Sequence, residues 1–246
     1  FSVGVSYFAG DRIALFTAGA RPITQAQNPY LYRMVENLCI ANGLPVPQIY
    51  IMEDPALNAF ATGRDPAHAS VAVTRGLLEN LKNEELEGVI AHELSHVKNY
   101  DIRFMMLVAV LVGTLLLMRD FLWRGMFSRG SRDDRRGSHA VMLVLAIVLT
   151  ILAPIVAELI KLAIARRREY LADASGALLT RYPEGLASAL EKIAASGTRL
   201  QRANGATAHL FISSPFGARA TTGLANLFAT HPPLSERIRI LREMTV

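Results

Sequence analysis

Two stretches of the chain, residues 104–118 and 140–157, contain no charged side chain and almost no polar one. As α-helices they would be about 22 and 27 Å long at ~1.5 Å per residue, against a hydrocarbon core of about 30 Å. A helix that is apolar all round must bury every face, in lipid or in a protein core. The pattern predicts a membrane-embedded helical hairpin over residues 104–162, with a buried hairpin in a soluble core as the alternative. Phe121, Leu122 and Trp123 extend the first arm if Arg119 and Asp120 pair or snorkel; Pro154 kinks the second arm without forbidding it. Residues 119–139, rich in glycine and arginine, read as a flexible solvated connection.

Elsewhere the periods are shorter. Leu86, Val89, Ile90, Leu94 and Val97 recur at helical spacing. They follow Asn83-Glu84-Glu85, an N-cap residue and acidic side chains where the helix dipole favours them. Further helices are predicted over residues 22–43, over 183–196 between Pro183 and Gly197, and over 233–244 with Leu234, Ile238 and Leu241 inward. Residues 48–52, 58–62 and 69–74 read as short strands, the last two joined by a turn through Gly63-Arg64-Asp65-Pro66. Residues 198–222 read as a mobile loop in which Leu210-Phe211-Ile212 docks on membrane or core. The fold class is α+β: one mainly helical domain over residues 1–246, with a small β-sheet and the hydrophobic hairpin inserted.

Composition narrows the function classes. Of the 246 residues 51% are hydrophobic, and mean hydropathy is +0.26, high for a soluble domain. The net charge of +5 comes largely from arginines flanking the apolar blocks, which suits lipid headgroups. No basic motif is interleaved with aromatics, which argues against nucleic acid as a partner. The lone Cys39 excludes an internal disulfide framework and reads as a small buried apolar residue. The first residue is Phe1, so a fragment or processed form is expected, with further membrane helices upstream.

Candidate chemistry centres on His92-Glu93-Leu94-Ser95-His96. Histidines four apart on a helix project from one face and can share a metal ion. Glu93 is rotated about 100° from His92 and reaches a water on that metal, the general-base position of a zinc protease. A catalytic zinc takes three protein ligands and keeps one position open. Glu169, on a helix continuing out of the second apolar block, is the best candidate for the third, although a lone Glu-x-x-x-Asp is equally the mark of an ordinary exposed helix. Asp173, four residues on, shares its face and is placed to accept the free ring N–H of a ligating histidine. The competing interpretation is a surface helix with two unrelated histidines.

At these residues the chain resembles the HtpX-type integral-membrane zinc metalloproteases, gluzincins related to the CAAX prenyl endoproteases. The marks are Asn58-Ala59-Phe60-Ala61-Thr62-Gly63, Val73-Thr74-Arg75-Gly76-Leu77-Leu78, the His-Glu-Leu-Ser-His helix, Glu169-Tyr170-Leu171-Ala172-Asp173 and His231-Pro232-Pro233-Leu234-Ser235-Glu236-Arg237. The resemblance implies a zincin-like fold with one Zn2+ on His92, His96 and Glu169, and Glu93 as base. It also implies a multi-pass protein of the inner membrane with its catalytic part facing the cytoplasm. Because the ligands must meet at one ion, the segments flanking the hairpin end on the same side of the membrane. A protease holds its peptide extended, and an exposed sheet edge does so by strand addition; by resemblance Asn58, Ala59, Phe60 and Ala61 are that edge. An ordinary hairpin is the alternative.

The function so implied is zinc-dependent endoproteolysis of misfolded or damaged membrane proteins, with cleavage of prenylated peptides as the less favoured alternative. The rival from another class is a membrane anchor or interaction module with a structural zinc, against which the intact Glu93 argues. His231, held extended by the prolines after it, is a candidate oxyanion partner with Arg237 behind it. The alternatives are a plug in the fourth zinc position, less favoured than the oxyanion role, and a histidine that merely caps the terminal helix or packs beneath it. Oligomeric state has no signature in the sequence.

Overall fold

A four-stranded mixed sheet lies between two groups of helices in the computed structural model, which describes residues 2–127, 148, 152, 166–203, 207–216 and 232–245. The elements run α1 (Ser2–Thr17), β1 (Ala20–Pro22), α2 (Pro29–Asn42), β2 (Gln48–Met52), β3 (Ala59–Gly63), β4 (Ala69–Thr74), α3 (Arg75–Asn80), α4 (Asn83–Lys98) and α5 (Asp101–Phe127). They continue with α6 (Arg166–Thr180), α7 (Pro183–Ser196) and α8 (Leu234–Glu243). In the sheet, ordered β1-β2-β4-β3, only β2 and β4 are parallel; β3 is an edge.

The two-residue alternation of strand side chains divides the core. Ile49, Ile51, Ala59, Ala61, Val71 and Val73 face α2, α4 and α7, joining Val35, Leu38, Leu94 and Leu190. Met52, Phe60 and Ala72 face the other way, onto Leu15 of α1 and Met105 and Val108 of α5. With both faces covered, β4 is buried along its whole length. Cys39 packs in the first of these clusters, where burial pushes its thiol up to about 11.

Several predicted boundaries move. The helix expected from residue 22 begins at Pro29, because the Asn28 side chain accepts from Leu31 N–H at 3.0 Å and a proline fits the first helical position. Pro22 instead ends β1, an edge strand where a missing N–H does no harm. Asn83 is the first helical residue of α4 and not its cap; its side chain accepts from the Tyr30 hydroxyl. The start of α4 is closed by Glu85, whose carboxylate accepts from Lys82 N–H at 2.7 Å.

The first apolar arm also differs from expectation. It does not give way to a loop at residue 119 but continues as α5 to Phe127, since Arg, Leu and Met all sustain a helix. Its beginning belongs to the protein core, with Met105, Met106 and Val108 buried, whereas Leu107, Leu111, Leu117 and Met118 are exposed. Among the described residues no helix is long and apolar enough to cross a membrane. Apart from residues 148 and 152, the second arm and the rest of the connection lie outside the described residues. In the predicted mobile loop, residues 207–213 are instead packed, with Leu210, Phe211 and Ile212 buried.

Candidate metal centre and active site

Helix α4 buries nearly its whole second half, including His92, Glu93, Ser95 and His96. Burying so many polar groups is unfavourable unless each meets a partner. Those partners come mainly from α6, where Glu169, Asp173 and Gly176 fall on one face at helical spacing. Gly176 lies against the α4 backbone, where a side-chain carbon would come 3.0 Å from His92 N, so the two helices approach closely. At the other end of α4, Tyr100 adopts a left-handed conformation with φ 59°. That bend turns the chain into α5 and puts Asp101, its first residue, beside His96.

The three predicted ligands converge. His92 Nε2 lies 3.2 Å from His96 Nε2, and the Glu169 carboxylate is 3.4 Å from His96 Nε2 and 3.9 Å from His92 Nε2. Tetrahedral zinc with bonds of about 2.0–2.1 Å requires donor separations of about 3.3 Å. Two imidazoles and a carboxylate at this spacing, all buried, fit such an ion, and these residues form the cluster suited to a metal among the described residues.

Each ring is oriented through its other nitrogen. His92 Nδ1 is 2.9 Å from Asp173 Oδ1, and His96 Nδ1 is 3.1 Å from Asp101 Oδ2. A carboxylate only accepts, so each Nδ1 carries a proton and Nε2 is the nitrogen turned towards the metal position. Arg237 grips Asp173 with two hydrogen bonds, Nε at 2.8 Å and Nη2 at 2.7 Å, and its Nη1 is 3.4 Å from Glu169. Arg168 holds Asp101 at 2.6 Å.

The electrostatics follow this layout. Burial, with Arg237 and His96 beside it, pulls His92 down to about 4 against the pull of Asp173. Burial also disfavours charge on His96, yet hydrogen bonds to Asp101 and Glu169 outweigh it and lift His96 to about 10. Burial, reinforced by Glu169, raises Glu93 to about 7, while a hydrogen bond from the Ala61 backbone N–H opposes the shift. A general base near neutrality is well matched to proton transfer at physiological pH.

The sequence profile of peptidase family M48 matches residues 25–245. The chain belongs to peptidase family M48. It is 51% identical over 240 residues to a protease HtpX homolog of Tropheryma whipplei, covering 98% of this chain and 81% of that protein. A protease HtpX homolog of Dictyoglomus turgidum is 49% identical over 239 residues, covering 97% and 77%. Among solved structures, the crystal structure of S. mikatae Ste24p shares the fold, with a TM-score of 0.62 at 19% identity over 98% of this chain and 57% of that one. This chain is therefore a metalloprotease, a hydrolase with a metal cofactor and a polypeptide substrate.

The remaining predicted site residues of this peptidase are placed unevenly. His231 lies outside the described residues. Asn58, Ala59, Phe60 and Ala61 do run along the outer edge of the sheet next to α4, but all four are buried, so the exposed edge expected from the sequence is corrected. The cover is the chain's own segment at Phe211 and Ile212. Asp101, Arg168 and the full reach of Arg237 were not anticipated. The signal for Asp101 was faint: an acidic residue opening an apolar helix, five residues after a candidate ligand.

Proposed function

We propose that this peptidase is a zinc endopeptidase acting on unfolded or damaged polypeptides at the membrane. The observation that carries the reading is the convergence of His92, His96 and Glu169 around one point, with Glu93 on the same helix as both histidines. Zinc, when bound, supplies Lewis acidity and brings the pKa of a coordinated water close to 7. The chain's own residues do the rest. Glu93, held by the Ala61 N–H, takes a proton from water and returns it to the leaving amine. Asp173 and Asp101 each hold a histidine through Nδ1 and so aim its Nε2 at the metal position. The edge of β3 orients the peptide as an added strand. His231, three residues ahead of the helix that carries Arg237, is the proposed donor to the oxyanion.

The membrane part of the reading rests on the two uncharged runs and on the exposed leucines along α5. A hairpin dipping into or crossing the bilayer would present clients to a site just beside its first arm.

Replacing Glu93 with Gln in the detergent-solubilised protein tests the chemistry. Zinc content should stay at the parental level while cleavage of casein falls by about 10²–10⁴-fold, the usual contribution of a general base. Zinc retained by a parent that hydrolyses nothing would favour a structural metal site instead.

A further inference from the structure

The β3 edge assigned to substrate is already occupied by the chain itself. Phe211 pairs antiparallel with Phe60, and Ile212 N–H donates to the Ala59 carbonyl at 2.9 Å. The Asn58 side-chain amide behaves like one more peptide group of the strand: its Nδ2 donates to Ser213 O at 3.1 Å and its Oδ1 accepts from Ser213 N–H at 3.4 Å. Arg237 Nη1 donates to the Ile212 carbonyl at 3.3 Å, and the same nitrogen is 3.4 Å from the ligand Glu169. One guanidinium thus connects the main chain of this segment to the metal centre. The Phe211 ring meets the Phe60 ring edge-on, with centroids 4.9 Å apart. These are the contacts expected of a peptide bound by strand addition: main-chain pairing, a polar clamp and side chains in apolar pockets.

We propose that residues 211–213 are an internal occupant of the substrate strand, and that a peptide substrate must displace them to bind. This rests on the reading above that β3 is the substrate edge. The occupant also names the substrate class, because Phe211 and Ile212 fill its positions with consecutive bulky, buried apolar side chains. A competing peptide must refill the same space. Extended apolar runs of that kind are buried in folded proteins and exposed in unfolded ones, so the segment makes the site selective for unfolded chains. The affinity seen for substrate is then the intrinsic affinity reduced by the fraction of molecules whose edge is open.

The test uses the full chain loaded with zinc. With casein as substrate, Phe211→Ala should lower KM by about tenfold or more and leave kcat within about twofold, because it raises the open fraction without touching the chemistry. A peptide of residues 207–214 added in trans should inhibit the parent competitively, and a scrambled peptide should not. A readout independent of turnover, and of whether Phe211→Ala folds, comes from the zinc-loaded Glu93→Gln protein. There the 207–214 peptide, its binding followed by fluorescence anisotropy, should speed hydrogen exchange at the Ile212 amide by about tenfold or more, while β4 stays protected. A raised KM in folded Phe211→Ala, non-competitive inhibition, failure of the peptide to bind, or bound peptide with Ile212 still protected would each overturn the proposal. A parent that cleaves nothing would sink the protease reading instead, and the exchange measurement would still decide who occupies the edge.

Discussion

His92 and His96 each hand Nδ1 to a carboxylate, and each carboxylate is held by an arginine, but the two relays occupy different surroundings. The relay His92–Asp173–Arg237 is interior. Arg237 is 0% exposed, and its nitrogens are committed to Asp173, to the Ile212 carbonyl and to the neighbourhood of Glu169. The relay His96–Asp101–Arg168 reaches the rim, where the Arg168 side chain is 41% exposed and stacks over the Phe104 ring. In the interior every charge must be answered by protein, so one lost partner strands the others. At the rim water replaces what is removed. The same pair of contacts therefore serves as a structural keystone in one place and as a local adjustment in the other.

Removing each arginine gives the widest separation. Arg237→Met leaves Asp173 buried without its cation and should destabilise the folded chain by about 3–5 kcal/mol, read from chemical denaturation of the zinc-free protein. A loss below about 1 kcal/mol would mean that the interior relay is no more critical than a surface pair.

The carboxylates come next. Asp173→Asn and Asp101→Asn should each weaken zinc binding by about 10–100-fold, since both orient a ligand through its second nitrogen. Only Asp173→Asn should also lower stability markedly, because it leaves Arg237 facing a neutral amide in the interior. Competition with a chelator measures the first effect and thermal unfolding the second. Equal stability losses for the two variants would erase the distinction.

The two histidines should then differ in their protons. At pH 7 the metal-free chain carries a proton on His96, lifted to about 10, and none on the second nitrogen of His92, pulled down to about 4. A ligand must be deprotonated, so zinc binding at pH 7 should release about one proton, and it should come from His96. Raising the pH removes that proton in advance. Affinity should therefore climb with pH, by about tenfold per unit for a single released proton, and level off towards pH 10. Calorimetry in buffers of different ionisation enthalpy counts the proton, and Asp101→Asn should reduce the count. An unchanged count in that variant would place the proton elsewhere.

Arg168→Met should have the smallest effect. Asp101 is itself buried, but it keeps its contact with His96, and water can take the place of the 41% exposed arginine, so the loss should stay well below that of Arg237→Met. A loss as large as that of Arg237→Met would show that the rim relay is interior in all but position.

Much of this was written locally in the chain. The spacing of His92 and His96 and the apolar stripe behind them specify a buried helix with two imidazoles on one face, whatever surrounds it. Strands β2 and β4 fell where alternation put them, and α7 between Pro183 and Gly197. Local signals failed where a neighbour decided the outcome. β1 is a strand because it has β2 to pair with, and residues 207–213 are ordered because β3 offers them an edge.

The sequence by itself determined the candidate donors: two histidines, a glutamate beside them and a second acidic helix, all readable because helical periodicity is a property of nearest neighbours. Only the tertiary structure decided which carboxylate answers which histidine, that Arg237 joins α8 to the candidate metal centre, and that residues 211–213 lie along the β3 edge. Those contacts link residues up to 155 positions apart, as Asn58 and Ser213 show. Pairings over such distances depend on how whole elements pack, and no local pattern encodes them.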